Sequence, residues 1–133
     1  MNPFYPVVAQ RAGYRCEYCH APERVFNFAF EVEHIYPQRL GGDNALTSLA
    51  LACESCNLYK GSAIAVGEEG SPHAIRLFHP RQEVWEEHFE WDALSETIRG
   101  KTPTGRATVQ QLRFNSDFQR RARQLWLQMS LFP

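Results

Sequence analysis

The strongest pattern of apolar and polar positions runs over residues 25–35 (VFNFAFEVEHI). Phe26, Phe28, Phe30 and Val32 fall on one side of a period-two repeat, and Glu31, Glu33 and Ile35 on the other. Aromatic and branched residues alternating at that period predict a strand, which Pro37 ends. His34 then lies on the opposite face from Glu33, near the strand end. Residues 37–44 (PQRLGGDN) predict a loop, because Gly41 and Gly42 supply backbone conformations that other residues avoid. Residues 46–52 (LTSLALA) form a second apolar run, too short for periodicity alone to separate strand from helix. Its place just before a cysteine pair favours a strand. Residues 54–65 predict a helix, weakened at Gly61 and ended by Gly67.

The flanks read less sharply. Residues 7–14 predict two turns of helix closed by Gly13, and residues 67–72 (GEEGSP) a flexible connector. Residues 74–78 predict a short strand. Residues 84–91 predict a helical turn that becomes a strand, with 97–99 pairing against it as a hairpin. A loop is expected at 102–105 and a helix over 106–114. Asn115 or Ser116 can cap a last helix, where Gln119 would complete a Ser-x-x-Gln box behind Ser116. Phe118, Ala122, Leu125, Trp126 and Met129 recur along that helix at helical spacing as an amphipathic stripe. The mixture predicts an α+β protein, and 133 residues suit one domain spanning 1–133.

Composition narrows the class. A hydrophobic fraction of 44% argues for a folded chain over a disordered one. No apolar run approaches the roughly 18–20 residues that cross a bilayer, and the first residues lack the basic-then-apolar order of a signal peptide. A soluble, cytoplasmic protein with no membrane partner is the expectation. The net charge is −1, so there is no global basic footprint, but residues 101–133 carry six cations against one anion. That basic third could face a polyanion or simply be a solvated helix surface.

Four cysteines fall in two Cys-x-x-Cys pairs, Cys16/Cys19 and Cys53/Cys56. Each pair can place two thiolates on one ion through a tight turn. Four thiolates close a tetrahedral zinc shell with no position left for water, so the expected site holds structure and does not catalyse. A thioredoxin-like redox pair is the rival, but no βαβ pattern surrounds either motif. His20 abuts the first pair, where it could donate to a thiolate or be an exposed loop residue.

Taken together, Cys16/Cys19, Glu33-His34-Ile35 with Pro37, Gly41-Gly42-Asp43-Asn44, Cys53/Cys56 and Asn57-x-x-Lys60-Gly61 resemble the HNH endonucleases, the ββα-metal nucleases. The likeness covers about residues 10–65. Residues from about 74 to 133 are similar to extensions on some bacterial members and read as a mixed hairpin and helical extension. The resemblance implies a ββα-metal core clamped by a four-cysteine structural Zn²⁺ site. It implies that Glu33 and Asn57 hold one catalytic Mg²⁺ or Mn²⁺, a hard ion suited to a carboxylate and an amide. It makes His34 the general base, since a histidine side chain titrating near ~6.5 can take a proton from water at neutral pH. Asn44 would orient the His34 ring or pin the loop. Lys60, three residues after Asn57 and so on the same helical face, would bind a neighbouring nucleic-acid phosphate.

Each of these residues also has a plainer reading. Asn44 by itself is a turn residue, and Lys60 by itself is a solvated lysine. The carboxylate before the histidine is more often Asp in the family, and Glu33 is one methylene longer. His73, His79 and His88 lie outside the motif, where packing or hydrogen-bonding roles are expected. Trp85, Trp91 and Trp126 read as core residues. The implied function is hydrolysis of phosphodiester bonds in nucleic acid, double-stranded DNA first. The alternative is a catalytically silent zinc-stabilised domain that binds nucleic acid or protein, and a hydrolase of another phosphodiester is a third reading.

Overall fold

The computed structural model describes residues 1–67 and 72–133. Most of the connector expected at 67–72 therefore lies outside the described residues. The architecture is α+β, with three two-stranded antiparallel sheets among the described residues. At its centre strand β1 (Glu31–His34) pairs with β2 (Leu49–Ala52), with Glu33 opposite Ala50 and His34 opposite Leu49. All four β2 residues are buried. Helices α1 (Tyr5–Arg11) and α2 (Glu54–Lys60) both pack on this hairpin. Arg11 ties α1 to it by donating to Leu46 O at 2.7 Å and Leu49 O at 2.6 Å.

The strand expected over 25–35 is only four residues long. Residues Glu23–Val25 form a 3-10 turn, and Phe28 is 81% exposed. Two causes are visible. β2 offers β1 no partner before Glu31. The buried Glu23 carboxylate accepts from Phe30 N and from the Tyr5 hydroxyl, both at 2.7 Å, which draws the chain away from an extended path. The helix expected over 54–65 stops at Lys60, because Gly61 turns to φ +53°. Ala65–Val66 is instead β3, paired with β4 (Ile75–Arg76), all that forms of the strand expected at 74–78.

The extension matches its expected hairpin, with α3 (Trp85–His88) running into β5 (Phe89–Asp92), paired with β6 (Thr97–Gly100). The loop expected at 102–105 is instead the first turn of α4 (Pro103–Gln111). Thr102 Oγ1 accepts from Gly105 N at 3.0 Å, and Pro103 fits the first helical turn, where its missing N–H costs nothing. A Cβ at Gly105 would sit 2.0 Å from His88 O, so only glycine lets α4 lie this close to α3.

The last helix, α5 (Asp117–Gln128), starts behind Ser116 as expected, with Ser116 Oγ accepting from Gln119 N at 3.2 Å. The reciprocal half of the box does not form, because Ser116 N donates to Arg113 O. The expected stripe is only in part the buried face, through Trp126 and the half-buried Ala122. Phe118, Leu125 and Met129 are exposed, whereas Gln119, Arg123 and Trp126 are buried. An aromatic cage of Trp91 and Phe132 receives the Arg123 guanidinium and sets the helix's rotation. No helix among the described residues is long and apolar enough to cross a membrane.

Candidate active site and metal centre

The two cysteine pairs meet. Cys16, Cys19, Cys53 and Cys56 are buried, with their sulfurs within 4.8 Å of one another and Cys19 3.7 Å from Cys53. A disulfide needs about 2.05 Å, while sulfurs bound tetrahedrally at a Zn–S length of about 2.3 Å lie about 3.8 Å apart. In each pair the second cysteine's N–H points at the first sulfur, at 3.5 Å for Cys19 and 3.4 Å for Cys56, which closes the tight turn that aims both sulfurs at one point. Burial pushes the Cys16 and Cys56 thiols well above their ordinary range, while hydrogen bonds from Cys16, Cys53 and Cys56 hold Cys19 well below it. A bound dication would displace those protons. The donor set, its burial and its spacing all fit a structural zinc.

This centre joins the ends of the hairpin unit to the extension. Glu17, inside the first knuckle, donates its N–H to Leu51 O at 2.9 Å and accepts from Leu51 N at 2.8 Å, and its other carboxylate oxygen meets Arg81. Trp85 stacks on His20 with centroids 4.1 Å apart, and its indole N–H donates to Tyr18 O at 2.8 Å. His79 and His88 have local bonding roles. His79 Nδ1 accepts from the N–H groups of Arg81 and Gln82, and His88 lies between Thr102 and Glu83.

His34, half-buried at the end of β1, has its Nε2 2.7 Å from Asn44 Oδ1. An amide oxygen accepts, so in the neutral ring Nε2 is the donor and Nδ1 is left with its lone pair. The loop between them is fixed by its glycines. Gly41 lies at φ +101°, and Gly42 N donates to Pro37 O at 3.0 Å. A Cβ on Gly42 would meet Tyr36 O at 1.8 Å. Asp43 caps the next turn through Ala45 N and Ser48 Oγ, which fixes the backbone on either side of Asn44.

Glu33 and Lys60 are placed differently from expectation. Glu33 is 6% exposed and Lys60 3% exposed, and their charged ends lie 3.4 Å apart. Glu33 also accepts from the Tyr18 hydroxyl, and Lys60 donates to Ile35 O at 2.9 Å. Lys60 is thus the internal partner of Glu33 and not a surface phosphate ligand. Its place on α2 points it at the strand, because the helix packs that face inward. Burial raises the Glu33 carboxyl, opposed chiefly by the Lys60 charge.

Asn57 is half-buried, and its side chain forms no hydrogen bond among the described residues. It lines a cleft of about 440 Å³ with Phe28, Glu31, Glu54 and Leu58. The carboxylate that shares this cleft from β1 is that of Glu31, two residues before Glu33 on the same side of the strand. The period-two pattern put both glutamates on one face, but nothing in the sequence told which of the two would be covered. Tyr18, the other partner of Glu33, was missed because it sits inside the zinc knuckle.

The profile of the HNH endonuclease family matches residues 16–63, from the first zinc-site cysteine to just beyond α2. This segment is similar to an HNH endonuclease domain. The match takes in both cysteine pairs, the β1–β2 hairpin and α2, so the matched segment coincides with the hairpin and helix that carry His34, Asn44 and Asn57. No curated protein and no solved structure matches the chain.

Proposed function

We propose that the protein is a metal-dependent DNA endonuclease in which His34 is the general base. The observation that supports this most is the Asn44 bond to His34 Nε2. It holds the ring in one tautomer and leaves Nδ1 to take a proton from water as it attacks the phosphorus. Uncharged Asn44 orients the imidazole without fixing its charge. Asn57 and Glu33 would hold the catalytic Mg²⁺ or Mn²⁺, which when bound supplies charge neutralisation at the phosphate and stabilises the leaving oxygen. Asn57 has a free amide for this. Glu33 has to exchange part of its contact with Lys60 for the ion, so Lys60 sets how readily the carboxylate is released. The four-cysteine zinc keeps the hairpin and α2 in register and takes no chemical part. Double-stranded DNA is the proposed substrate, bound mostly through phosphates and so weakening steeply with salt.

The burial of Glu33 favours a second reading, a silent domain that binds DNA without cleaving it. Incubating zinc-loaded wild type and His34→Ala with supercoiled plasmid and Mn²⁺ separates the two. The endonuclease reading expects nicking by the wild type and a fall of about 10²–10⁴-fold in the variant, with DNA binding retained. Binding without nicking by the wild type supports the silent domain, and equal nicking by both proteins removes His34 from the chemistry.

A further inference from the structure

Arg123 is buried to 1% exposure, the largest side chain so deeply covered among the described residues. No carboxylate pairs with it among the described residues. Its Nη2 donates to Phe114 O at 2.7 Å and its Nη1 to Asn115 Oδ1 at 3.3 Å, while Nε has no partner. Its remaining contacts are the rings of Trp91 and Phe132, at 5.8 and 5.5 Å. All of these partners are neutral. A guanidinium does not shed its proton in a protein, and a buried charge without a counter-charge is strongly unfavourable.

The nearest candidate for a counter-charge is the cysteine centre, which α5 faces across a cleft. Gln119, Ala122 and Trp126, on the same face of α5 as Arg123, line a cleft of about 340 Å³ together with Cys53. Burial and the Arg120 charge work against the Arg123 charge, while negative charge on Cys19 and Cys56, which a bound dication would maintain, works to keep it. One dication among four thiolates leaves the centre with a net charge of about −2, and such a charge needs a cation as much as Arg123 needs an anion.

We propose that Arg123 is the buried counter-charge of the four-cysteine zinc centre, so that zinc loading and docking of α5 are one coupled equilibrium. This rests on the zinc reading of the cysteines. The extension is then part of the metal centre's electrostatics, and α5 holds its place only while the thiolates carry their ion.

The test compares wild type, Arg123→Met, Arg123→Lys and Phe132→Leu, all purified with zinc. Zinc transfer to a chromogenic chelator gives relative affinities, and Co²⁺ substitution gives the energy of the thiolate-to-metal charge-transfer band. Arg123→Met is expected to bind zinc at least about tenfold more weakly and to shift the cobalt band, with Arg123→Lys staying near wild type in both. Phe132→Leu is expected to lower the melting temperature without moving the band, which separates packing from charge. Arg123→Met indistinguishable from wild type, or Arg123→Lys as impaired as Arg123→Met, overturns the proposal. If Arg123→Met does not fold in excess zinc, folding and zinc loading of Arg123→Lys support the charge requirement, and their failure overturns it. A wild type that takes up no zinc overturns the zinc reading itself.

Discussion

Replacing Lys60 with Met keeps most of the side-chain volume and removes one charge. It leaves Glu33, 6% exposed, with the Tyr18 hydroxyl as its remaining polar side-chain partner. Breaking a buried ion pair from one side costs about 3–5 kcal/mol, and Ile35 O also loses its donor, worth about 1 kcal/mol. For a chain of this size that corresponds to a fall of roughly 10–20 °C in melting temperature. The deficit has a pH signature. Burial already holds the Glu33 carboxyl above its ordinary value, and Lys60 is the main influence opposing that rise. Without Lys60 the folded-state value climbs further, so the folded protein binds a proton that the unfolded chain has released. The stability deficit of Lys60→Met relative to wild type is therefore smallest at acid pH and grows as pH rises from the ordinary carboxylate range through the raised folded-state value. Urea unfolding of zinc-saturated protein at acid and neutral pH measures this. Glu33→Gln in the Lys60→Met background should recover about 2 kcal/mol or more, since no charge is left stranded. A Lys60→Met protein within about 1 kcal/mol of wild type at neutral pH, or additive effects in the double variant, refutes the buried pair as described.

Three further outcomes follow from the geometry. Gly42→Ala forces a Cβ to within 1.8 Å of Tyr36 O, so the loop must shift; DNA nicking should fall at least about tenfold for a misplaced His34 partner, with zinc content unchanged by metal analysis. The Tyr5 hydroxyl is raised to about 12 by its hydrogen bond to Glu23, so stability in alkaline unfolding curves should decline as pH rises from about 10 to 12, a slope that Tyr5→Phe flattens. Glu33→Gln should abolish metal-stimulated cleavage and Glu31→Gln should reduce it only modestly; the opposite ranking would move the carboxylate ligand to Glu31, the glutamate that shares the Asn57 cleft.

The parts legible in the sequence are those set by short-range chemistry. A Cys-x-x-Cys turn aims two sulfurs at one point, and the two pairs meet. Gly41-Gly42 announces a tight loop, and the loop brings Asn44 to His34. What was misread depended on which partner lies opposite. Phe26 and Phe28 alternate like a strand, but strands need a neighbour, and β2 ends too soon to provide one. Lys60 looked like a solvated or phosphate-binding cation because sequence does not say that α2 packs that face over Glu33. Arg123 counted toward a basic surface for the same reason, since its burial depends on Trp91 and Phe132, which reach it from elsewhere in the chain. Thr102-Pro103 carried a readable helix start that the neighbouring Gly105 obscured.

The proposed activity is hydrolysis of DNA, with a hard divalent ion, by the segment that matches the HNH endonucleases. Supercoiled plasmid incubated with zinc-loaded wild type in Mg²⁺, Mn²⁺, Ca²⁺ or EDTA tests it most directly. The account predicts nicked circles in Mg²⁺ or Mn²⁺, with 5′-phosphate ends that ligase reseals, and none in EDTA. Folded, zinc-loaded protein that binds the plasmid yet leaves it supercoiled in every ion would contradict it.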